Sequence, residues 1–240
     1  MSAAALRALH VPGEPLILPN AWDAATARAV AAAGFPAVAT TSSGVAESLG
    51  YEDGEETPAD EMLAAVRRIA RVVDVPVTAD LEGGYGLDPA DLAQRAVAAG
   101  AAGLNFEDTD HANAPRLHDI GAQAGRIAAL KAAQDLVVNA RIDVFLNGGP
   151  VAEGVERARA YADAGADCVY PIGITDEATI AAFVELGTPV NVVLSPAAPP
   201  IERLAELGVA RISLGHFLHA EMLAALDERL AGLSRRGTRS

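Results

Sequence analysis

A helix–glycine–strand pattern that recurs along the chain limits its fold more than any other feature. An alanine-rich amphipathic stretch ends at a glycine and is followed by a short β-rich run around Gly34, Gly100, Gly165, Gly187 and Gly208. Glycine is favoured just past a helix end because it accepts the left-handed backbone conformation. Such alternation of helices and strands predicts parallel strands joined by right-handed crossovers.

The full pattern predicts eight strands and eight helices. The strands are expected near residues 16–19, 37–41, 76–80, 103–107, 136–141, 167–171, 190–194 and 211–214. The helices are expected near residues 22–33, 58–73, 89–99, 122–134, 153–164, 176–186, 200–207 and 216–231. Eight such units without a linker predict an α/β fold, a single (β/α)₈ TIM-type barrel domain over residues 1–240. A doubly wound open sheet is the alternative, but no Gly-x-Gly-x-x-Gly motif follows the first strand.

Charge and composition exclude several classes of partner. The net charge of −14 argues against binding to nucleic acid or to an anionic membrane surface. No segment approaches the ~20 apolar residues of a membrane span, and the first ten residues do not resemble a signal peptide. The single cysteine, Cys168, forbids an intramolecular disulfide and points to a reducing cytoplasm.

Two acidic residues end successive strands in the predicted sheet. Asp80 follows Val75–Ala79, and Glu107 follows Gly103–Phe106. Neighbouring strands lie ~4.8 Å apart, so the two carboxylates are expected to converge at the carboxyl edge of the sheet. Converging carboxylates repel unless a positive charge lies between them, and a divalent cation is the natural candidate.

The same region predicts which cation binds. Glu82 lies two residues after Asp80 in a glycine-rich turn, where its alternatives are a solvated loop residue or a ligand for a metal-bound water. No histidine is expected near the strand-end acids, since His111 and His118 are interpreted as solvated loop residues. Oxygen ligands alone favour Mg²⁺, or Mn²⁺ in its place, over zinc.

Arg141 ends the fifth predicted strand and has two interpretations. It forms a structural ion pair with Asp143 or Asp167, or it acts as a bidentate clamp on a substrate carboxylate.

Two loops are unusually long, Thr41–Thr57 and Asp108–Gly121, and both are expected at the mouth of the barrel. At the start of the first loop, successive N–H groups near Ser43 and Gly44 would hold an oxyanion if they do not form a plain turn. Asp53 in the same loop is, by itself, interpreted as a turn aspartate.

The positions of the lysine and the cysteine exclude two further kinds of catalysis. The only lysine, Lys131, is predicted in mid-helix rather than at a strand end, which excludes a Schiff-base aldolase. Cys168 is predicted inside a strand and is interpreted as a core residue rather than a nucleophile.

Six motifs, taken in order, resemble the isocitrate lyase/phosphoenolpyruvate mutase superfamily over nearly the whole chain. The segment that contains Asp80, the glycine turn and Glu107 is the most specific part. The motifs are PNAWD at 19–23, TTSSG at 40–44, GYED at 50–53, DLEGGYG at 80–86, NFED at 105–108 and ARID at 140–143.

The resemblance implies an α/β barrel whose last helix is often exchanged between subunits, giving a homodimer or homotetramer. It implies Mg²⁺ held by Asp80, with Glu82 and Glu107 acting mostly through waters. The shared chemistry passes through the enolate of a 2-oxo acid.

The resemblance also implies the residues that contact the substrate. Ser43, Gly44 and Val45 match the segment that binds the carboxylate and oxo groups, and Tyr51 is counted among the substrate-binding residues. Arg141 matches an arginine that binds substrate oxygens. Asp53 matches an aspartate of the mobile loop after the second strand, so that Ser43, Asp53 and Arg141 are the expected catalytic residues.

Two departures from the family pattern narrow the expected activity. The loop at 108–119 has neither the cysteine nor the lysines of the isocitrate and methylisocitrate lyases, and Pro171 replaces a histidine of the phosphonate-processing members. We therefore expect a Mg²⁺-dependent lyase that cleaves a carbon–carbon bond of a small 2-oxo or 2-hydroxy carboxylate, by oxaloacetate decarboxylation or a retro-aldol reaction. The alternatives are a phosphonopyruvate mutase or hydrolase, and a member that binds a dicarboxylate without turnover.

Overall fold

The computed structural model describes residues 2–113 and 116–237. In that part of the chain, the strands are β1 (Leu16–Leu18), β2 (Asn20–Ala21), β3 (Val38–Thr40), β4 (Val77–Asp80), β5 (Gly103–Glu107), β6 (Val137–Ile142), β7 (Cys168–Pro171), β8 (Asn191–Val193) and β9 (Arg211–Ser213). The helices are α1 (Ala3–Ala8), α2 (Ala24–Ala32), α3 (Ser42–Leu49), α4 (Ala59–Ala70), α5 (Pro89–Ala98), α6 (Ile120–Ala133), α7 (Val151–Asp163), α8 (Glu177–Val184), α9 (Ile201–Glu206) and α10 (Phe217–Gly237).

The strands form two parallel arcs that close into one barrel. One arc has the order β2-β3-β4-β5-β6-β7, and the other has the order β1-β9-β8. A parallel bridge between Val169 and Val190 joins the arcs on one side, and the chain itself joins β1 to β2 on the other. The predicted (β/α)₈ barrel is therefore confirmed.

The first stave of the barrel is broken at Pro19, where the sequence predicts one strand over 16–19. Proline has no N–H to donate to a neighbouring strand, although its carbonyl accepts from the Ala39 N–H at 3.2 Å. The Asn20 side chain bridges the break, because its Nδ2 donates to the Thr40 carbonyl at 2.7 Å and its Oδ1 accepts from the Leu214 N–H at 3.0 Å. Asn20 thus links β3 to the end of β9 at the mouth of the barrel.

Two helices are absent from the sequence prediction. Helix α1 packs over the amino-terminal end of the barrel through Ala3 and Leu6, which are buried against Leu18 and Val137. Helix α3 occupies the first half of the segment 41–57, which the sequence predicts as one long loop. That prediction is wrong because a Ser-Ser-Gly start is typical of a turn, whereas here it forms the first turn of a helix packed on α4.

The core position predicted for Cys168 is confirmed, and Lys131 lies in a helix as predicted, although in its last turn rather than in its middle. Cys168 is buried in β7, and Lys131 lies in α6, where its Nζ donates to Asp167 at 2.7 Å. None of the described helices is both long and apolar enough to cross a membrane.

Candidate functional site

Asp80 lies at the carboxyl end of β4, opposite Asn105 of β5. Its Oδ2 accepts from the Ser42 N–H at 3.1 Å, and its Oδ1 accepts from Asn105 Nδ2 at 3.2 Å. Ser42 is the first residue of α3, so the carboxylate faces the positive end of a helix dipole. The Asp80 N–H donates to Thr40 Oγ1 at 2.8 Å, which fixes the backbone of the strand end.

Glu82 is buried and ties two loops together. Its Oε2 accepts from the N–H groups of Gly54 at 2.9 Å and Glu55 at 2.7 Å, while its Oε1 accepts from the Tyr85 hydroxyl at 2.8 Å. Burial and the neighbouring Asp53 carboxylate raise the pKa of Glu82 to about 7. The loop after α3 is therefore held against the turn after β4 by one carboxyl group that is poised to exchange its proton near neutrality.

Left-handed backbone conformations concentrate at this junction. Glu55, Glu82 and Tyr85 have φ angles of 66°, 47° and 57°, although none of them is glycine. The three residues also contact one another, since the Tyr85 N–H donates to Glu55 Oε1 at 2.6 Å. Unfavourable backbone conformations of this kind cluster at ligand-binding sites, where the surrounding structure holds them in place.

Glu107 ends β5 next to Arg141 of β6, its partner in the strand register. The Glu107 Oε2 lies 2.5 Å from Arg141 Nη1 as an ion pair without an aligned hydrogen bond. Burial raises the pKa of Glu107, and Arg141 opposes that rise. For Arg141, burial alone would lower the pKa, but Glu107 and Asp143 outweigh it, and the pKa is raised.

The ion-pair interpretation of Arg141 is correct for Asp143. The Arg141 Nε donates to Asp143 Oδ1 at 2.7 Å. Asp167, the other partner that the sequence allowed, pairs instead with Lys131 and with Arg7, the latter at 2.6 Å.

The structure corrects the interpretation of His111 as a solvated loop residue. A 3₁₀ turn over His111–Asn113 folds the loop back, so that the His111 Nε2 contacts Glu107 Oε1. Ligand atoms of Glu82, Glu107 and His111 lie within 4.8 Å of one another. The expectation that no histidine lies near the acids is thus wrong, because spacing along the chain does not reveal a turn that reverses its direction. His118 is also half-buried rather than solvated.

The first turn of α3 contains Ser43 and Gly44, the residues from which oxyanion donors are predicted. In an α-helix the first N–H groups lack partners within the helix, so those of Ser43 and Gly44 have none there. A Cβ atom on Gly44 would lie 2.8 Å from Thr41 Cγ2 and 3.3 Å from Trp22 Cβ, so this position accepts only glycine without movement. Val45 differs, because its side chain is in the core and its N–H donates to the Thr41 carbonyl at 3.0 Å.

Asp53 and Tyr51 lie on the loop that follows α3. Asp53 and Ser43 line a cavity of about 470 Å³, and residues of α10 form another part of its wall. Partial burial of its carboxyl group and the charge of Asp80 raise the pKa of Asp53. The Tyr51 hydroxyl donates to Glu61 Oε1 at 2.9 Å, so the structure does not bring Tyr51 into the acidic cluster.

Asp108 is a structural residue of the site that the sequence reasoning did not single out. Its fully buried carboxylate accepts from the Asp143 N–H at 2.9 Å, the Tyr161 hydroxyl at 2.8 Å and Arg157 Nη1 at 3.2 Å. These contacts fix the base of the loop at 108–119. Only its position beside Glu107 hinted at a role, since Arg157 and Tyr161 come from a distant helix.

The mouth of the barrel therefore has an excess of carboxylates. The charges of Asp53, Asp80 and Glu107 raise the pKa of Glu82, and Arg141 is a cation that interacts with Asp53, Asp80 and Glu107. Raised carboxyl pKa values and a buried Glu107 Oε2 without an aligned donor are what a divalent cation would relieve. Fold and site together define a (β/α)₈ barrel protein whose mouth carries a cluster of residues that could hold a metal ion.

Comparison with known proteins gives the family. Residues 6–234 match the family model described as phosphoenolpyruvate phosphomutase, and the chain belongs to that family within the isocitrate lyase/phosphoenolpyruvate mutase superfamily. An uncharacterised protein of Mycobacterium tuberculosis (strain CDC 1551 / Oshkosh) is 36% identical over 211 residues, which cover 86% of this chain and 80% of that protein. The phosphoenolpyruvate phosphomutase of Streptomyces hygroscopicus is 32% identical over 240 residues, covering 91% of this chain and 76% of that protein.

Solved structures agree with this assignment. A phosphonomutase candidate from Burkholderia cenocepacia J2315 has a TM-score of 0.89 and 40% identity, covering 96% of this chain and 99% of that one. A 2,3-dimethylmalate lyase has a TM-score of 0.89 and 30% identity, covering 98% and 88% of the respective chains. A phosphonopyruvate hydrolase in complex with oxalate and Mg²⁺ has a TM-score of 0.87 and 27% identity, covering 99% and 88%. Apart from the uncharacterised mycobacterial protein, the named relatives are described as mutases, a lyase or a hydrolase, which confirms that the chain is an enzyme of this superfamily.

Proposed function

We propose that this protein is a Mg²⁺-dependent lyase that cleaves a carbon–carbon bond of a small 2-oxo or 2-hydroxy carboxylate. The observation that carries the proposal is the acidic cluster at the mouth, where ligand atoms of Glu82, Glu107 and His111 lie within 4.8 Å of one another and the charges of Asp80 and Glu107 act on Arg141. A superfamily relative has been solved with Mg²⁺ and oxalate, and another is a 2,3-dimethylmalate lyase, which supports both the metal and the reaction class.

Asp80, Glu82 and Glu107 would hold the metal, directly or through waters. Their oxygens suit Mg²⁺, and Mn²⁺ takes the same ligands. When bound, the metal supplies positive charge that stabilises the negative charge of an enolate oxygen. His111, which contacts Glu107, would close one side of this metal site.

The residues of the chain would bind and orient the substrate. Arg141 would bind carboxylate oxygens with the guanidinium N–H groups that Asp143 and Glu107 leave unused, and the first turn of α3 would donate from Ser43 and Gly44. Asp53 would close over the site, on the loop that Glu82 anchors. Val45 and Tyr51 remain proposed substrate contacts, and Tyr51 would first have to leave Glu61.

Carbon–phosphorus chemistry is the second candidate because two of the relatives named above are a mutase and a mutase candidate. In this chain the end of β7 carries Pro171, which has no side-chain donor for a phosphonate oxygen. That difference favours carbon–carbon cleavage. The third candidate is a protein that binds a dicarboxylate without turnover.

One assay separates the three candidates. The protein is incubated with Mg²⁺ and either oxaloacetate, a 2,3-disubstituted malate or phosphonopyruvate, and products are followed by pyruvate detection and phosphorus NMR. Carbon–carbon cleavage without phosphonopyruvate turnover supports the proposal, and phosphonopyruvate turnover alone contradicts it. Binding of oxalate with Mg²⁺ but no turnover would favour the third candidate.

Asp80→Ala tests the metal assignment. We expect this substitution to abolish Mg²⁺-dependent turnover, with a loss of at least ~10²-fold, because it removes the carboxylate nearest to the N-terminus of α3. Asp135→Asn, in the exposed loop that leads from α6 into β6 at the opposite end of the barrel, is the control and should keep wild-type activity. Unchanged turnover in Asp80→Ala would refute the metal site.

A further inference from the structure

Arg211 is a buried cation that the proposed chemistry does not use. It begins β9 and is fully buried. Burial lowers its pKa, and among the described residues its Nε and Nη1 have no hydrogen-bond partner. A buried charge is unfavourable without a partner, so the one hydrogen bond that the Arg211 side chain makes within the described part of the chain identifies what it acts on.

That hydrogen bond crosses the interior of the barrel. The Arg211 Nη2 donates to Asn105 Oδ1 at 3.0 Å, although β9 and β5 are not neighbours in either arc. Asn139 Nδ2 donates to the same oxygen at 2.8 Å. Since a guanidinium offers only donors, the oxygen of the Asn105 amide must face Arg211, and its nitrogen must face the other way.

The Asn105 nitrogen faces Asp80. It donates to Asp80 Oδ1 at 3.2 Å, while Oδ2 accepts from the Ser42 N–H. If Asn105 were free to turn, its carbonyl oxygen would meet the Asp80 carboxylate and repel it. Arg211 therefore selects the one amide orientation that holds Asp80 by a hydrogen bond.

We propose that Arg211 is a positioning residue, which fixes Asp80 for Mg²⁺ through Asn105. This inference rests on the proposed function, because it takes Asp80 as a metal ligand. Partners that orient a metal ligand typically change metal affinity by roughly 10–100-fold when they are removed. The direction of the change in Mg²⁺ affinity distinguishes two roles. If Arg211 acted only as a cation beneath the site, it would weaken Mg²⁺ binding, and removal of Arg211 would tighten that binding.

The experiment measures the Kd of Mg²⁺ alone by calorimetry, with thermal unfolding in parallel. We expect Arg211→Met to weaken Mg²⁺ binding at least ~10-fold, and Arg211→Lys, which keeps a long side chain with a donor, to restore it to within about 3-fold of wild type. If Arg211→Met does not fold, Arg211→Gln takes its place, since its side chain is about two bonds shorter.

Asn191→Ala is the matched control. Asn191 is fully buried and faces Arg211 in the strand register, but it donates to Ser213 Oγ at 3.3 Å and not to Asn105. The Asn191→Ala substitution should lower thermal stability and leave the Kd of Mg²⁺ unchanged. An equal loss of affinity in this control would mean general loosening of the barrel and would overturn the proposal.

A double-mutant cycle with Asn105→Leu tests the route of the effect. If Arg211 acts through Asn105, Arg211→Met has no further effect on Mg²⁺ binding in the Asn105→Leu background, whereas independent effects multiply. Unchanged or tighter Mg²⁺ binding in Arg211→Met, or multiplicative effects in the cycle, would overturn the positioning role of Arg211 but not the proposed metal site. Absence of Mg²⁺ binding by the wild-type protein overturns the proposed metal site as well.

Discussion

The carboxyl group of Glu82 shows how a single residue of the site opposes folding. Its ordinary pKa is near 4.5, but burial and Asp53 raise it to about 7 in the folded protein. Between these two pH values the folded state keeps a proton that the unfolded state has released. The free energy of unfolding therefore falls as pH rises from about 4.5 to about 7, by an amount on the order of 3 kcal/mol.

Glu82→Gln should remove this pH dependence. Glutamine can still accept the N–H groups of Gly54 and Glu55 with its oxygen, and its amide can donate to the Tyr85 hydroxyl oxygen. In metal-free buffer the variant should be more stable than wild type at pH 8, with the difference vanishing near pH 4.5. Denaturant unfolding at both pH values with a chelator present measures this, and an equal difference at both would contradict it.

The placement of Asp80 and Glu107 at the ends of neighbouring strands was predictable because strand ends of a parallel barrel meet at one edge. The positions of His111, Asp108 and Arg211 were not predictable from the sequence. Each depends on a contact between segments far apart in the chain or on a turn within a loop, and neither leaves a periodic signal in the sequence.

At the scale of elements, helix α3 is the part of the site that the sequence pattern did not predict. Its eight residues are too few for a clear helical period, and its Ser-Ser-Gly start favours a turn. Helices α5, α6 and α8 were easier to predict, because an aspartate N-cap (Asp88, Asp119 and Asp176, respectively) precedes each of them. Their predicted starts are correct to within about two residues.

Gly44→Ala tests whether the position of α3 matters for function. The new Cβ would lie 2.8 Å from Thr41 Cγ2, so the first turn of the helix must move relative to Asp80. We expect a loss of roughly 1–3 kcal/mol in stability from overpacking, and a larger than 10-fold loss of kcat/KM. Steady-state kinetics and thermal unfolding measure the two effects.

Gly125→Ala provides the comparison for that substitution. Gly125 is exposed in α6, and a Cβ there meets nothing within 4 Å. Alanine should stabilise this helix by about 0.5–1 kcal/mol and leave kcat/KM unchanged. If Gly44→Ala keeps full activity, the N-terminus of α3 has no part in substrate binding.

At the scale of the whole molecule, the repeat predicted the barrel because each helix–strand unit can bury its apolar face only against its neighbours. The repeat did not predict the break of the first barrel strand at Pro19. Closure there relies on the Asn20 side chain and its bonds to Thr40 and Leu214, which are specific contacts rather than a pattern. The predicted single-domain organisation over residues 1–240 stays a prediction.

An exposed apolar face of the last helix, α10, indicates that the molecule assembles into an oligomer. In the single chain, Met222, Leu226, Leu230 and Leu233 of α10 are 44%, 50%, 53% and 48% exposed, and their spacing places them on one helix face. An apolar stripe of this length on a surface is typical of an interface. We therefore expect a homodimer or homotetramer in which a second copy covers the stripe, including by exchange of α10.

Leu226→Glu combined with Leu230→Glu tests this assembly. Two carboxylates would be desolvated in the interface, so the variant should sediment as a monomer at micromolar concentration while the wild type sediments as a dimer or tetramer. Glu228→Gln, on the opposite face of α10, is the control and should keep the wild-type mass. A wild-type protein that sediments as a monomer under these conditions would contradict the prediction, and the exposed stripe would then need another partner. If instead the double variant keeps the wild-type mass, the subunits associate through a different surface, and α10 is not exchanged.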